Sequence, residues 1–264
     1  MKRMVTFFAL AALGYAGICL LVFLLQGRML FFPRNSDSYA VTQLERWQRT
    51  IESSEATLSG WFIPAREPSN APLVFYFGGN AEDVSVTSLE VRQQIDGNLV
   101  LMNYRGYGGS EGSPSESALF FDALLVYDTL VDTTPHNGKI AAIGRSLGSG
   151  VAVHLASRRK IDAIVLVTPY DSIRNVARRL FSWLPVSLLI RHPFDSIALA
   201  PDFDIPALFL VAEHDEVIPP PHAQLLAASW GGSTRWVSIK GATHNSIGGE
   251  EYWVSIREFL SAIR

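Results

Sequence analysis

Apolar residues along this chain are concentrated in short runs that are separated by polar segments and end at glycine or proline. The runs are nearly continuous rather than alternating, which is typical of β-strands covered on both faces of a sheet. They lie at residues 73–77, 99–102, 140–143, 163–167, 207–211 and 236–239. Before them, residues 47–51 and 56–63 predict an antiparallel hairpin that begins the sheet.

Segments with helical spacing of apolar residues lie between these runs. The clearest begins near Ser115 and carries Leu119, Ala123, Val126 and Leu130 on one face. Helices are also predicted at residues 146–157, 220–229 and 250–263. Because strands that alternate with helices form parallel βαβ units, we predict an α/β fold with a mostly parallel, twisted sheet and helices on both faces.

The N-terminal segment has a different pattern. Residues 4–25 carry no charged side chain, and a helix of this length reaches ~33 Å, enough to cross a hydrocarbon core of ~30 Å. A cleaved signal peptide is the alternative, but its apolar region is shorter and ends at a small-x-small site, which this segment lacks. We therefore predict a single-pass membrane anchor at residues 1–28 and one globular domain at residues 29–264.

Charges near the anchor give the expected orientation. Lys2 and Arg3 favour a cytoplasmic N-terminus, which places the globular domain outside the cytoplasm. Arg28 and Arg34 follow the apolar segment and weaken this bias.

Composition narrows the possible functions. Of the 264 residues, 48% are hydrophobic and 18% charged, and the formal net charge is −3, so neither the overall charge nor any basic run indicates nucleic-acid binding. Cys19 is the one cysteine, so an intramolecular disulfide is excluded. No histidine or carboxylate cluster has the spacing of metal ligands, and we expect neither a metal nor a cofactor. The oligomeric state is not determined by the sequence.

A candidate nucleophile lies directly after the predicted strand at residues 140–143. The sequence Gly144-Arg145-Ser146-Leu147-Gly148 fits the pattern G-x-S-x-G, in which a sharp strand-to-helix turn exposes the serine hydroxyl. Side chains two positions before and after the serine would collide, and glycine removes that collision. The following helix N-terminus offers free N–H groups to a developing oxyanion.

A serine hydroxyl needs a base at neutral pH, and His244 follows the last predicted strand. Asp215, after the preceding strand, is the expected acid that orients the imidazole. The resulting order Ser, Asp, His is typical of one hydrolase fold, and all three residues follow strand ends, where open α/β sheets bind ligands. Alternative acids are Glu213, Glu216 and Asp171.

The expected oxyanion donors are two backbone N–H groups. One belongs to Leu147, which follows the nucleophile, and the other to the loop Gly78-Gly79-Asn80 after the strand at residues 73–77. We favour the N–H of Asn80, with Gly79 as the alternative. This loop does not fit a phosphate cradle, because no Gly-Lys-Ser/Thr follows it.

With these residues in place, the chain resembles the membrane-anchored serine α/β-hydrolases, a family that includes acyl hydrolases, serine-aminopeptidase-like proteins and protein depalmitoylases. The resemblance covers nearly the whole chain. It rests on Phe31-Phe32-Pro33, residues 77–81, residues 103–112, the Gly144–Gly148 turn and the segments that carry Asp215 and His244. Gly78 and Asn103 depart from it, since histidine and aspartate are common there. The resemblance implies the α/β-hydrolase fold and an ester or thioester substrate.

These expectations combine into a serine hydrolase that cleaves an acyl ester or thioester of a small or lipid-like substrate through an acyl-enzyme intermediate. The alternatives are an aminopeptidase-like serine peptidase and a non-catalytic membrane-anchored scaffold. A peptidase would need an acidic pocket for the substrate amine, whereas residues 172–192 form an amphipathic helical insertion with arginines and no acid. This insertion is predicted to be either a surface helix docked on the core or a small lid over the site.

Overall fold

A computed structural model describes residues 1–53 and 55–263 and contains one mixed sheet. Most strands are apolar runs buried on both faces, whereas the two strands at the ends of the sheet order, β1 and β8, are largely exposed. In chain order the strands are β1 (Gln48–Glu52), β2 (Thr57–Ile63), β3 (Leu73–Phe77), β4 (Asn98–Met102), β5 (Ile140–Arg145), β6 (Ala163–Val167), β7 (Ala207–Ala212) and β8 (Thr234–Ile239).

The strands are arranged in the order β1-β2-β4-β3-β5-β6-β7-β8. The β1–β2 and β2–β4 pairs are antiparallel, and the pairs from β3 to β8 are parallel. The predicted hairpin and the mostly parallel sheet are therefore confirmed. Because β3, β5, β6, β7 and β8 run in the same direction, the loops after them meet at one edge of the sheet.

The helices connect the strands and cover both faces of the sheet. In chain order they are α1 (Lys2–Leu30), α2 (Ser38–Leu44), α3 (Val84–Gln94), α4 (Glu116–Leu130), α5 (Leu147–Arg158), α6 (Ile173–Leu180), α7 (Val186–Leu189), α8 (Pro220–Ser229) and α9 (Glu250–Ser261).

Each face of the sheet has its own hydrophobic cluster. One cluster joins alternate strand residues such as Phe75 and Ala142 to α4, α5 and α8, and Phe75 stacks on Tyr127 of α4. The other joins Tyr76 and Ile143 to residues of α3 and α9. Neighbouring strand residues enter opposite clusters because side chains alternate across a strand, which explains why the apolar runs are continuous.

Three helical regions differ from the sequence prediction, and the first is the short helix α2, which was not predicted. The helix α3 was not predicted either, because its half-exposed surface is rich in polar and β-branched residues. The side chain of Asp83 caps this helix by accepting a hydrogen bond from the N–H of Ser85. The insertion at residues 172–192 contains two helices, α6 and α7. They are separated by a turn that precedes Pro185, whose ring cannot continue a helix interior.

The helix α1 is the one helix, within the described ranges, that is long and apolar enough to cross a membrane. It has no buried residue in its apolar length. Its C-terminal part contacts α7, and the chain continues through the buried Phe31 into the globular domain. This arrangement brings the end of α1 next to the edge of the sheet where the parallel strands end.

Candidate active site

Ser146 lies at the turn between β5 and α5. Its backbone has φ 49° and ψ −116°, a conformation that non-glycine residues rarely adopt. A side chain at Gly144 would overlap the backbone of Gly148, and one at Gly148 would overlap the carbonyl of Phe77 in β3. The two glycines therefore allow the tight turn that points the Ser146 hydroxyl away from the sheet.

The structure brings Ser146, His244 and Asp215 into one hydrogen-bonded chain. His244 Nε2 lies 2.9 Å from Ser146 Oγ, and His244 Nδ1 lies 2.8 Å from Asp215 Oδ2. All three side chains are buried. Asp215 Oδ1 also accepts the backbone N–H groups of Val217 and Ile218, at 3.0 and 2.7 Å, so its carboxylate has a fixed orientation. This geometry permits His244 to remove the serine proton.

The loops that carry the acid and the histidine support each other. The N–H of His214 donates to the carbonyl of Ala242 at 2.8 Å. His214 directly precedes Asp215, and Ala242 lies two residues before His244. This bond joins the loop after β7 to the loop after β8. The His214 ring is exposed, and its Nε2 lies 3.7 Å from Glu213 Oε2.

The three alternative acids have other partners. Asp171 follows β6, and its Oδ1 lies 2.6 Å from Nδ1 of the buried His222 in α8, so it pairs with a different histidine. Glu213 accepts the N–H of Gly241 at 2.8 Å. Glu216 contacts the backbone N–H of His244 at 3.4 Å rather than the ring.

The loop after β3 lies against the nucleophile. A Cβ atom built on Gly79 would lie 3.6 Å from Ser146 Cβ, and Asn80 lines the same cavity as Ser146. The N–H of Gly79 donates to Glu82 Oε2 at 2.6 Å, which occupies that donor. Leu147 is the first residue of α5, so its N–H has no partner within the helix.

Glu82 organises this loop, a role that the sequence analysis did not identify. Its carboxylate accepts from Tyr76 Oη at 2.8 Å and from Thr87 Oγ1 at 2.6 Å, in addition to the Gly79 bond, and Arg145 lies 3.8 Å away. Burial, together with the Glu82 charge, raises the pKa of Tyr76, so this hydroxyl stays protonated and keeps donating. A carboxylate three residues after the glycine pair is the signal that could have indicated this role.

The side chain of Asn80 connects the same loop to the end of α1. Its Nδ2 donates to the carbonyl of Leu30, and its Oδ1 accepts from the N–H of Phe32 at 3.0 Å and from Tyr107 Oη at 2.9 Å. The sequence indicated Asn80 only as a backbone donor. Its side-chain contacts were missed because they join segments that are 50 and 27 residues apart.

A cavity of about 580 Å³ opens above Ser146 and His244. Its walls are mainly apolar and come chiefly from the C-terminal part of α1 and the insertion, with further contributions from the loops after β3, β5, β6, β7 and β8. His192, at the end of the insertion, lines it too, and burial lowers the pKa of its ring and so disfavours the charged form. The volume is typical of a cavity that encloses an organic ligand.

No group of three or more potential metal ligands lies within residues 1–53 and 55–263.

No family model matches the chain. Full-length relatives do: an uncharacterized protein of Mycobacterium tuberculosis is 30% identical over 96% of this chain and 93% of its own length. The alpha/beta hydrolase domain-containing protein WAV2 of Arabidopsis thaliana is 28% identical with the same coverage.

Two further comparisons concern part of the chain and the fold. The lysophosphatidylserine lipase ABHD12 of Rattus norvegicus is 32% identical over 57% of this chain and 43% of its own length. An esterase of Pyrococcus furiosus has a similar fold, with a TM-score of 0.69 and 19% identity over 89% of this chain and 98% of the esterase.

Proposed function

Because this chain belongs to the α/β-hydrolase family, we propose that it is a serine hydrolase that cleaves acyl esters or thioesters. The observation that carries the proposal is the 2.9 Å approach of His244 Nε2 to Ser146 Oγ, with Asp215 on the other ring nitrogen. Ser146 is the nucleophile, His244 the general base and Asp215 the acid that orients the imidazole.

The proposed reaction has two steps. His244 takes the Ser146 proton as Oγ attacks the substrate carbonyl, and the N–H groups of Leu147 and Asn80 stabilise the tetrahedral oxyanion. His244 then protonates the leaving alcohol or thiol, which departs as the C–O or C–S bond breaks and leaves the acyl group on Ser146. Water, deprotonated by His244, attacks this acyl-enzyme, and the carboxylic acid is released with Ser146 restored.

The cavity supports an apolar acyl substrate. Its walls are mainly apolar, and its one acidic residue among the described positions, Glu82, accepts hydrogen bonds from Tyr76, Thr87 and Gly79. A free α-amine therefore finds no unoccupied carboxylate there, which favours an acyl ester over an aminopeptidase substrate. The relative ABHD12 is named as a lipase, in agreement with a lipid-like substrate.

The proposal includes the location of the enzyme. The helix α1 is the membrane anchor, and the charges of Lys2 and Arg3 favour a catalytic domain outside the cytoplasm. No soluble cofactor takes part in the reaction.

The test compares purified full-length protein with Ser146→Ala. On p-nitrophenyl esters of increasing acyl length the variant is expected to lose several orders of magnitude in kcat and to lose labelling by a fluorophosphonate. Ser157→Ala is the matched control, because Ser157 lies on the same helix and donates to the His154 carbonyl, remote from the triad. Turnover of aminoacyl anilides in preference to the esters, or activity retained by Ser146→Ala, would contradict the proposal.

A further inference from the structure

Large apolar side chains are exposed on the insertion (residues 172–192). Leu188 is 84% exposed, Leu180 60% and Trp183 56%, and they lie at the ends of α6 and α7 and in the turn between these helices. Apolar surface that is concentrated in this way marks a site that another phase or molecule covers.

The insertion is hydrogen-bonded to the anchor helix at two levels. Near the end of α1, Gln26 Nε2 donates to the Leu189 carbonyl at 2.9 Å and Gln26 Oε1 accepts the Arg191 N–H at 2.7 Å. Eleven residues earlier, Tyr15 Oη donates to the Trp183 carbonyl at 2.9 Å. At ~1.5 Å per helical residue, the insertion therefore follows α1 for roughly 16 Å towards the N-terminus.

The length of α1 places the Tyr15 level inside a bilayer. A spanning helix needs at least ~17 apolar residues, so a span that begins at Met4 leaves the hydrocarbon no earlier than Leu20. If the hydrocarbon covers the whole apolar run, the helix leaves the hydrocarbon at Leu25. The Trp183 carbonyl is then roughly 8–15 Å inside the hydrocarbon edge, in the leaflet next to the globular domain.

The polar contacts fit this depth. Backbone that is not helical is tolerated in hydrocarbon only where its N–H and C=O groups have partners. Tyr15 and Gln26 supply such partners to Trp183, Leu189 and Arg191. They are two of the few polar side chains in α1, and both face the insertion.

Basic residues surround the same element. Arg178 and Arg179 of α6 are exposed, as is Arg28 in the last turn of α1, and residues 172–192 contain no acid. Long arginine side chains can extend from an apolar depth to the phosphate groups of lipids. Charge and apolar exposure therefore point to the same partner.

We propose that the insertion is embedded in the membrane leaflet next to the globular domain, with Leu180, Trp183 and Leu188 in contact with lipid acyl chains. Arg178 and Arg179 bind headgroup phosphates. The partner is the bilayer itself, and α1 and the insertion enter it side by side. Because both also line the cavity above Ser146, the entrance to the cavity faces the leaflet. This placement does not depend on the proposed reaction.

The test measures the depth of Trp183 in the full-length protein. The protein is reconstituted into phosphatidylcholine–phosphatidylglycerol vesicles with and without bromine on the acyl chains, and the emission of Trp183 is obtained by difference from Trp183→Phe. Bromine within the hydrocarbon is expected to reduce this emission about twofold or more. The matched control is Trp236→Phe: Trp236 is 40% exposed on β8, outside the insertion, and its emission should not respond to brominated lipid.

Other outcomes overturn the proposal. If aqueous iodide quenches Trp183 and brominated lipid does not, the insertion lies in water. If neither quenches it and the protein is cross-linked as a dimer, a second copy of the chain covers this surface. Should circular dichroism show that Trp183→Phe does not fold, Leu188→Trp provides the same measurement as added emission at Leu188, which is more exposed than Leu180 and Trp183.

Discussion

The side chain of Asn80 holds the proposed oxyanion loop against the end of α1, and Asn80→Ala removes this connection. Three hydrogen bonds are lost, to the Leu30 carbonyl, the Phe32 N–H and Tyr107 Oη. Each contributes a net ~1 kcal/mol, and water can replace part of this at a half-buried position, so the free energy of unfolding is expected to fall by about 1–3 kcal/mol.

The effect on catalysis is expected to be larger than the effect on substrate binding. Loss of one oxyanion donor lowers kcat by about 10²–10³-fold, and a donor that is displaced rather than deleted should lower kcat by roughly 10–100-fold. Because the donor acts on charge that develops only in the transition state, KM should change by less than about threefold. The assay is steady-state hydrolysis of a p-nitrophenyl ester by full-length protein, well below the thermal midpoint of each variant.

Tyr107→Phe is the matched control. It removes one of the three bonds and preserves the ring that packs against Tyr104, so kcat should stay within about threefold of the parent. If Asn80→Ala keeps the parental kcat, or if its loss lies entirely in KM, the side chain does not position the oxyanion donor.

Three further predictions concern the triad, the turn and a buried acid. Asp215→Asn should lower kcat about 10⁴-fold in the ester assay by favouring the wrong imidazole tautomer, and a loss below tenfold would exclude Asp215 as the orienting acid. Gly148→Ala should destabilise the fold by ~2 kcal/mol or more, because its Cβ overlaps the β3 backbone, whereas Gly248→Ala, with open space, should keep the thermal midpoint. Burial raises the pKa of Glu116 to about 7, so the folded state favours the protonated carboxyl and the free energy of unfolding should decrease from about pH 4.5 to 7. Glu116→Gln should remove on the order of 1 kcal/mol of this decrease, measured by denaturation at a series of pH values. If the pH profile of the variant equals that of the parent, Glu116 is not the group responsible.

The strands could be predicted because their environment is uniform. A strand such as β6, with every residue buried, needs a continuous apolar run, and the sequence contains it. The helix α3 covers one face of the sheet with few apolar residues, so its helical pattern is weak until the packing is known. Prediction from periodicity therefore worked best where both faces are covered.

The candidate site was predictable to the extent that chain order fixes position. Ser146, Asp215 and His244 follow β5, β7 and β8, and residues at the carboxyl ends of parallel strands meet at one edge of the sheet. The sequence favoured Asp215 and kept Asp171 as an alternative, since both follow strands; in the structure Asp215 lies against the His244 ring and Asp171 against His222. The contacts of Glu82 and of the Asn80 side chain depend on tertiary packing, which no local pattern contains.

The path of α1 has a practical consequence for work on this enzyme. The helix supplies one wall of the cavity through Val22, Gln26 and Met29, and its end supplies the backbone partners of Asn80. Truncation before the globular domain, the usual route to a soluble sample, would delete that wall and release the loop beside Ser146. Kinetic constants or inhibitor rankings measured on such a fragment would describe a different binding site, so screening should use the intact chain in detergent or nanodiscs.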